Sequence, residues 1–232
     1  MLIPVRLLKT SSVPFCFAVA VFLVSSLHAE EKKEKPVDAP KGEVIELFDG
    51  KSLKNWKVTD FGGEGTVLVK DGQLILEPGD PITGVHWVGK ELPKVNYEIS
   101  FDAQRVDGND FFCALTFPVK EKLCSLILGG WGGSLIGLSN INDFDASENE
   151  STDYYSFDNE KWYKIRLRVD EKFIQAWIDE TRIAKIDHTE NRISIRIEME
   201  LSKPLGLASF QTKGAIKNLK MTKLKAEAKK KE

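Results

Sequence analysis

The chain has 232 residues, with 33 Lys and Arg against 35 Asp and Glu, for a formal net charge of −2. Hydrophobic residues make up 42% of it. The near-neutral balance excludes the basic excess of a nucleic-acid binder, and the apolar content excludes wholesale disorder.

Arg6 and Lys9 precede an apolar run over residues 13–27, which closes on Ser25, Ser26 and the small Ala29. Residues 1–29 therefore read as a secretory signal peptide. The competing reading is an uncleaved membrane anchor, but about 15 apolar residues fall short of the roughly 20 that a spanning helix needs. Cleavage would remove Cys16 and leave no stable membrane span. The expected location is outside the cytoplasm, periplasmic or secreted. Residues 30–41 (EEKKEKPVDAPK) are charged and proline-bearing, which predicts a linker. Residues 223–232 (KLKAEAKKKE) predict a basic, disordered tail.

What remains, residues 42–222, holds 22 bases and 29 acids, a net charge of −7. It is long enough for one well-buried core. Short alternating runs recur at 44–48, 66–69, 73–76, 95–104, 111–117, 123–128, 162–169, 173–178, 193–201 and 216–221. In the run from Trp162, residues Lys164, Arg166 and Arg168 alternate with Tyr163, Ile165, Leu167 and Val169. That is the period of a strand with one solvated face. Turn residues punctuate the runs at Asp49-Gly50, Asp71-Gly72, Asp107-Gly108 and Lys203-Pro204. The pattern predicts an all-β fold, an antiparallel β-sandwich or jelly roll.

Cys113 and Cys124 flank an expected hairpin. Pairing Phe117 with Lys120 around Pro118-Val119 would set the two cysteines opposite each other, within about 5.5 Å and so within disulfide reach. A shifted register would leave two buried thiols instead.

Three segments carry candidate chemistry. Residues 129–133 (GGWGG) set Trp131 between Gly130 and Gly132, where it is either a stacking platform for a sugar ring or a plug under the sandwich end. No Gly-Lys-Ser/Thr follows, so no phosphate loop and no organic cofactor are expected. Residues 140–153 (NINDFDASENESTD) contain Asp143, Asp145, Glu148, Glu150 and Asp153 and no base. Such a cluster suits a hard divalent cation such as Ca²⁺, or is a solvated acidic loop. In the run 193–201 (ISIRIEMEL), period two would put Arg196, Glu198 and Glu200 on one face. The two carboxylates would then lie about 6.5 to 7 Å apart, with Arg196 holding one ionised. The alternative is an exposed charge ladder facing Arg166 and Arg168. His86 and His188 lie far apart in sequence, which argues against a histidine zinc site.

Several segments together resemble the 3-keto-disaccharide hydrolase domain family (DUF1080). Leu47-Phe48-Asp49-Gly50-Lys51-Ser52-Leu53-Lys54-Asn55-Trp56 is similar to its "LFDGKSLxxW" opening, and Val69-Lys70-Asp71-Gly72-Gln73-Leu74 to the hairpin that follows. Trp162-Tyr163-Lys164-Ile165-Arg166 and Ala176-Trp177-Ile178-Asp179 resemble its late strands. Phe210-Gln211 and Ile216-Lys217-Asn218-Leu219 resemble its close. The resemblance implies a concanavalin A-like jelly roll, a saccharide ligand, and cleavage of glycosides whose sugar carries a 3-ketone. The ketone acidifies the C2 proton, a base removes it, the glycosidic oxygen leaves by β-elimination, and water adds back. A base, an enolate-stabilising group and often a divalent cation would serve that route. Carried onto this chain, Glu198 or Glu200 would be the base, Arg196 its orienter and Trp131 the platform, with Asp110 and Gln211 beside the substrate. The family's closing "HG" is replaced by Thr212-Lys213-Gly214, and its mid-domain Asn-Ser-Gly by Asn109-Asp110-Phe111. Those departures keep a second expectation alive, a non-catalytic glycan-binding module on the same fold.

Overall fold

The computed structural model describes residues 42–225. The expected signal peptide over 1–29, the linker over 30–41 and all but the first three residues of the basic tail lie outside the described residues. Among the described residues, no helix is long and apolar enough to cross a membrane.

Two antiparallel sheets pack face to face. With strands numbered in chain order, the eight-stranded sheet runs β13 (Thr181–Asp187), β12 (Phe173–Ile178), β11 (Trp162–Val169), β6 (Tyr97–Asp107), β15 (Lys213–Lys223), β4 (Gln73–Leu76) and β3 (Val67–Lys70). β1 (Val44–Glu46) pairs with the far half of β15. The seven-stranded sheet runs β10 (Asp153–Tyr154), β9 (Leu135–Ser139), β8 (Lys122–Gly129), β7 (Cys113–Val119), β14 (Gly206–Phe210), β5 (Ile82–Trp87) and β2 (Trp56–Val58). The predicted β-sandwich is the observed fold.

Alternation builds the first sheet. In β6, Tyr97, Ile99, Phe101 and Ala103 are buried in the main core, while Ser100, Asp102 and Gln104 face outward. The neighbouring β11 matches residue for residue, with Tyr163, Ile165, Leu167 and Val169 fully buried. On the outer side, buried Glu98 accepts bonds from both Arg166 and Arg168. Arg166 also stacks on Trp177, 4.7 Å from the ring centre. Arg166 and Arg168 therefore face Glu98, not Glu198 or Glu200. The β3–β4 hairpin turns on Asp71-Gly72, both at positive φ (52° and 78°), which is the type I′ geometry that Asp-Gly favours.

The β7–β8 hairpin corrects the cysteine expectation. Val119 pairs with Lys122, so the turn lies at Lys120-Glu121, further out than Pro118-Val119. Cys113 then faces Leu128, and Cys124 faces Phe117. The cysteines stand four residues apart along the ladder, about 13 Å, which is beyond disulfide reach. Both are free and fully buried.

The second correction concerns residues 193–201. Ile193 bridges to Ile141, and Ser194 exchanges backbone bonds with Asn140 (2.6 and 3.2 Å). The chain then becomes a 3-10 helix, Ile197–Ser202. The segment lies across the outer face of the seven-stranded sheet, over β5 and β14. A chain crossing a sheet face finds no ladder partner there, so its backbone bonds close locally. At three residues per turn, Met199 and Ser202 share one side, and both are buried. Met199 packs into a second apolar cluster with Ile82, Ala114, Ile127, Leu135 and Ala208. Ile197 and Leu201 point to solvent. Small residues make room for this strap: a Cβ on Gly206 would sit 2.5 Å from the Ser202 carbonyl oxygen.

Burial in the apolar core pushes the Cys124 thiol up to about 12 and raises that of Cys113 as well. Neither should react with a thiol reagent at pH 8 in the folded protein, and both should react once guanidinium unfolds it. A non-reducing digest that yields one peptide pair linking Cys113 to Cys124 would contradict this register.

Candidate functional site

The predicted residues fall into two groups, one over the outer side of the seven-stranded sheet and one at an end of the sandwich. The first is an open cleft of about 370 Å³ between the acidic loop and the strap, lined by Asp143, Phe144, Asp145, Glu148, Arg196 and Glu198 among others. Arg196 donates to both Glu198 carboxylate oxygens (2.9 and 3.2 Å) and to Asp145 at 2.5 Å. The Arg196 bonds hold the Glu198 carboxyl below its ordinary range. Glu200 turns away to Lys203. On a 3-10 helix, residues two apart differ by about 120° in direction. Glu198 and Glu200 therefore do not form the side-by-side pair expected of a strand.

The proposed metal ligands also diverge. Asp143 pairs with Arg192, and Asp145 pairs with Arg196 while accepting from the Ser147 N–H and hydroxyl. Glu148 and Glu150 are exposed. Among the described residues no group of three or more His, Cys, Asp or Glu side chains is placed to hold a metal ion. Two acids of this loop, Asp143 and Asp145, are matched to arginines of the strap.

The second group gathers at one end of the sandwich, where the β6–β7, β8–β9 and β14–β15 connections meet. Residues 129–133 make a tight turn in which Gly129, Trp131, Gly132 and Gly133 all have positive φ. Trp131 is 45% exposed, so it is not a plug. Asp110 braces the turn: its Oδ2 accepts from the Gly132 N–H at 3.4 Å and its Oδ1 from the Phe111 N–H at 2.7 Å. The Asp110 N–H donates to Thr212 Oγ1 at 3.0 Å. Gln211, next to Thr212, is exposed, and its N–H donates to the Pro81 carbonyl at 2.8 Å. Gly130 is buried, and the space where a Gly132 side chain would project is open. The structure thus brings Trp131, Gly130, Gly132, Asp110 and Gln211 to one end.

Two residues that the sequence reading passed over organise this end. Thr212, in the segment that replaces the family's closing motif, is buried and supplies the bond to Asp110. Arg105, on the inward face of β6, is 9% exposed. Its guanidinium donates to the Gly133 carbonyl (2.9 Å), to Asn159 Oδ1 (2.7 Å) and to the Phe157 carbonyl. A Cβ on Gly133 would lie 2.7 Å from Arg105 Nη1, so glycine is required there for contact as well as for its φ of 102°. The parity of β6 was the available signal: Arg105 follows Tyr97, Ile99, Phe101 and Ala103 on the buried face.

Residues 43–222 match the profile of the 3-keto-alpha-glucoside-1,2-lyase-like domain. No functionally curated protein matches the sequence. Among solved structures, the chain is similar to a candidate glycosyl hydrolase from Parabacteroides distasonis at 13% identity and a TM-score of 0.51, over 79% of this chain and 94% of that one. It is similar to the apo Crh5 transglycosylase at 9% identity and a TM-score of 0.52, over 84% and 91%. A Bacillus subtilis protein of unknown function with a galectin-like fold superposes at 10% identity and a TM-score of 0.52, over 80% and 98%. At these identities the likeness is one of fold.

Arg105→Met should cost about 3 kcal/mol, because three bonds to a charged donor go and buried carbonyls lose their partner. Urea unfolding reads the loss. Amide exchange should quicken in residues 129–134 and 155–160 together, and quickening of only one segment would show that Arg105 does not couple them.

Proposed function

The chain belongs to the 3-keto-alpha-glucoside-1,2-lyase-like domain family, and from that premise we propose that it is an exported carbohydrate-active protein that binds a saccharide at the Trp131 end of the sandwich. The observation that carries this reading is the exposed indole of Trp131 on a turn braced by Asp110 and Arg105. An aromatic face stacks on the apolar face of a sugar ring, and a pre-positioned ring loses little freedom on binding. Asp110 and the Gln211 side chain supply polar groups beside it for sugar hydroxyls. The face of the seven-stranded sheet under the strap is apolar and filled by Met199, which favours the end of the sandwich over that face as the place of binding.

A second reading is turnover of a 3-keto glycoside in the cleft beside the strap. It is favoured by the ionised Glu198 at the cleft wall with Arg196 against it. Glu198 would take the C2 proton, Arg196 would orient that carboxylate, and the glycosidic oxygen would leave as the enolate collapses. Water adding to the unsaturated ketone would complete net hydrolysis.

Trp131→Ala should weaken saccharide binding at least about tenfold in calorimetry, roughly 1.4 kcal/mol, while leaving the unfolding midpoint near that of the parent protein. Unchanged affinity would remove the platform. For the second reading, wild type should cleave a 3-keto glucoside, with or without added divalent cation, and Glu198→Gln should lower the rate by about 100-fold or more. If Glu198→Gln cleaves at the wild-type rate, that reading fails.

A further inference from the structure

Tyr154 is 68% exposed, the most exposed aromatic side chain among the described residues. It lies on the two-residue edge strand β10, directly opposite Leu135. Gly130 forms a bridge to the same Leu135 from the other side. Opposed strand residues lie about 5 Å apart, so Gly130 and Tyr154 stand about 10 Å apart across one strand. Trp131 follows Gly130 directly. Two exposed aromatic rings therefore flank one buried leucine at the edge of the sheet.

Their separation is held on both flanks. Arg105 binds the Gly133 carbonyl on the Trp131 side and the Phe157 carbonyl on the Tyr154 side. The Tyr155 N–H donates to the Ser134 carbonyl at 2.8 Å, tying the two segments directly. Beneath them the Tyr155, Phe157 and Tyr163 rings pack with centroids 4.8 to 5.8 Å apart. Large aromatics left in water on so stiff a frame mark a contact surface. Apart from the largely buried Arg105, the charged groups beside them include Asp110 and Asp153, acids on a body of net charge −7, which disfavours an anionic ligand.

We propose that Trp131 and Tyr154 are two stacking platforms of one site, and that its ligand is a neutral oligosaccharide of at least two sugar units. The proposal rests on the saccharide reading above and adds ligand length and charge to it. One sugar ring lies on Trp131, and the next part of the chain crosses the β9 edge to Tyr154.

The test is calorimetric titration of the protein with neutral oligomers of glucose, galactose and N-acetylglucosamine, one to four units long, and with an oligouronide of matched length. Affinity should rise about tenfold from one unit to the longer oligomers, and the oligouronide should bind at least about tenfold more weakly. Tyr154→Ala should remove the gain with length and leave the single-unit affinity unchanged, and Tyr154→Phe should keep the gain. Because Tyr154 is largely in water, Tyr154→Ala should unfold at the wild-type midpoint. Oligomer affinity unchanged in Tyr154→Ala, or lost equally for one unit and four, overturns the two-platform site while leaving saccharide binding intact. Tighter binding of the oligouronide overturns the neutral-ligand assignment. Wild type that binds none of the oligomers overturns both this proposal and the reading beneath it.

Discussion

A guanidinium drawn into the protein needs acceptors there, and Arg105 finds three of them on two loops. Its partners are neutral oxygens: the carbonyls of Gly133 and Phe157 and the side-chain oxygen of Asn159. Leaving any of them would strand a buried charge, so the loops stay where β6 puts them. The positions of Trp131 and Tyr154 follow from that requirement. So does the glycine at 133, since a side chain there would occupy the space of the guanidinium. A largely buried residue thus sets the geometry of exposed ones.

The strap imposes the complementary constraint. With Met199 in the apolar cluster and Ser202 against Gly206, the strap covers the outer face of the seven-stranded sheet over β5 and β14. The small residues along its outer side, such as Gly84, Ala114 and Ala208, are packing partners for covering chain. On the proposed reading, this leaves the end and the free edge of the sheet to a ligand. The acidic loop belongs to the same arrangement. Asp143 and Asp145 meet Arg192 and Arg196 of the strap, and the clustered charge works as a fastening between two segments.

How far the sequence could be read depended on which faces meet water. β4, β11 and β12 were legible to the residue, because one side of each is solvated and apolar residues alternate with polar ones. β5, β9 and β14 were passed over, because strands covered on both sides lose that alternation. Leu135–Ser139 (LIGLS) is buried at every position. The opposite error occurred at 193–201, where alternation was present but no backbone edge was available to pair with. Trp131, Asp110 and Gln211 were found from turn residues and from the family resemblance, and they do assemble. Tyr154 carried no sequence signal, since its role comes from lying across β9 from Gly130. The divergence of Glu198 from Glu200 depended on a change of helical repeat that the residue types alone do not specify.

β15 runs 11 residues, about 33 Å, from the Thr212 corner to the end where it pairs with β1. Val44 and Thr222 are paired at its far end, so the described domain receives and releases the chain at the pole remote from Trp131. Anything joined before β1 or after β15 therefore starts on the side away from the candidate site. A tether at that pole would leave the aromatic edge facing outward, uncrowded by the attachment.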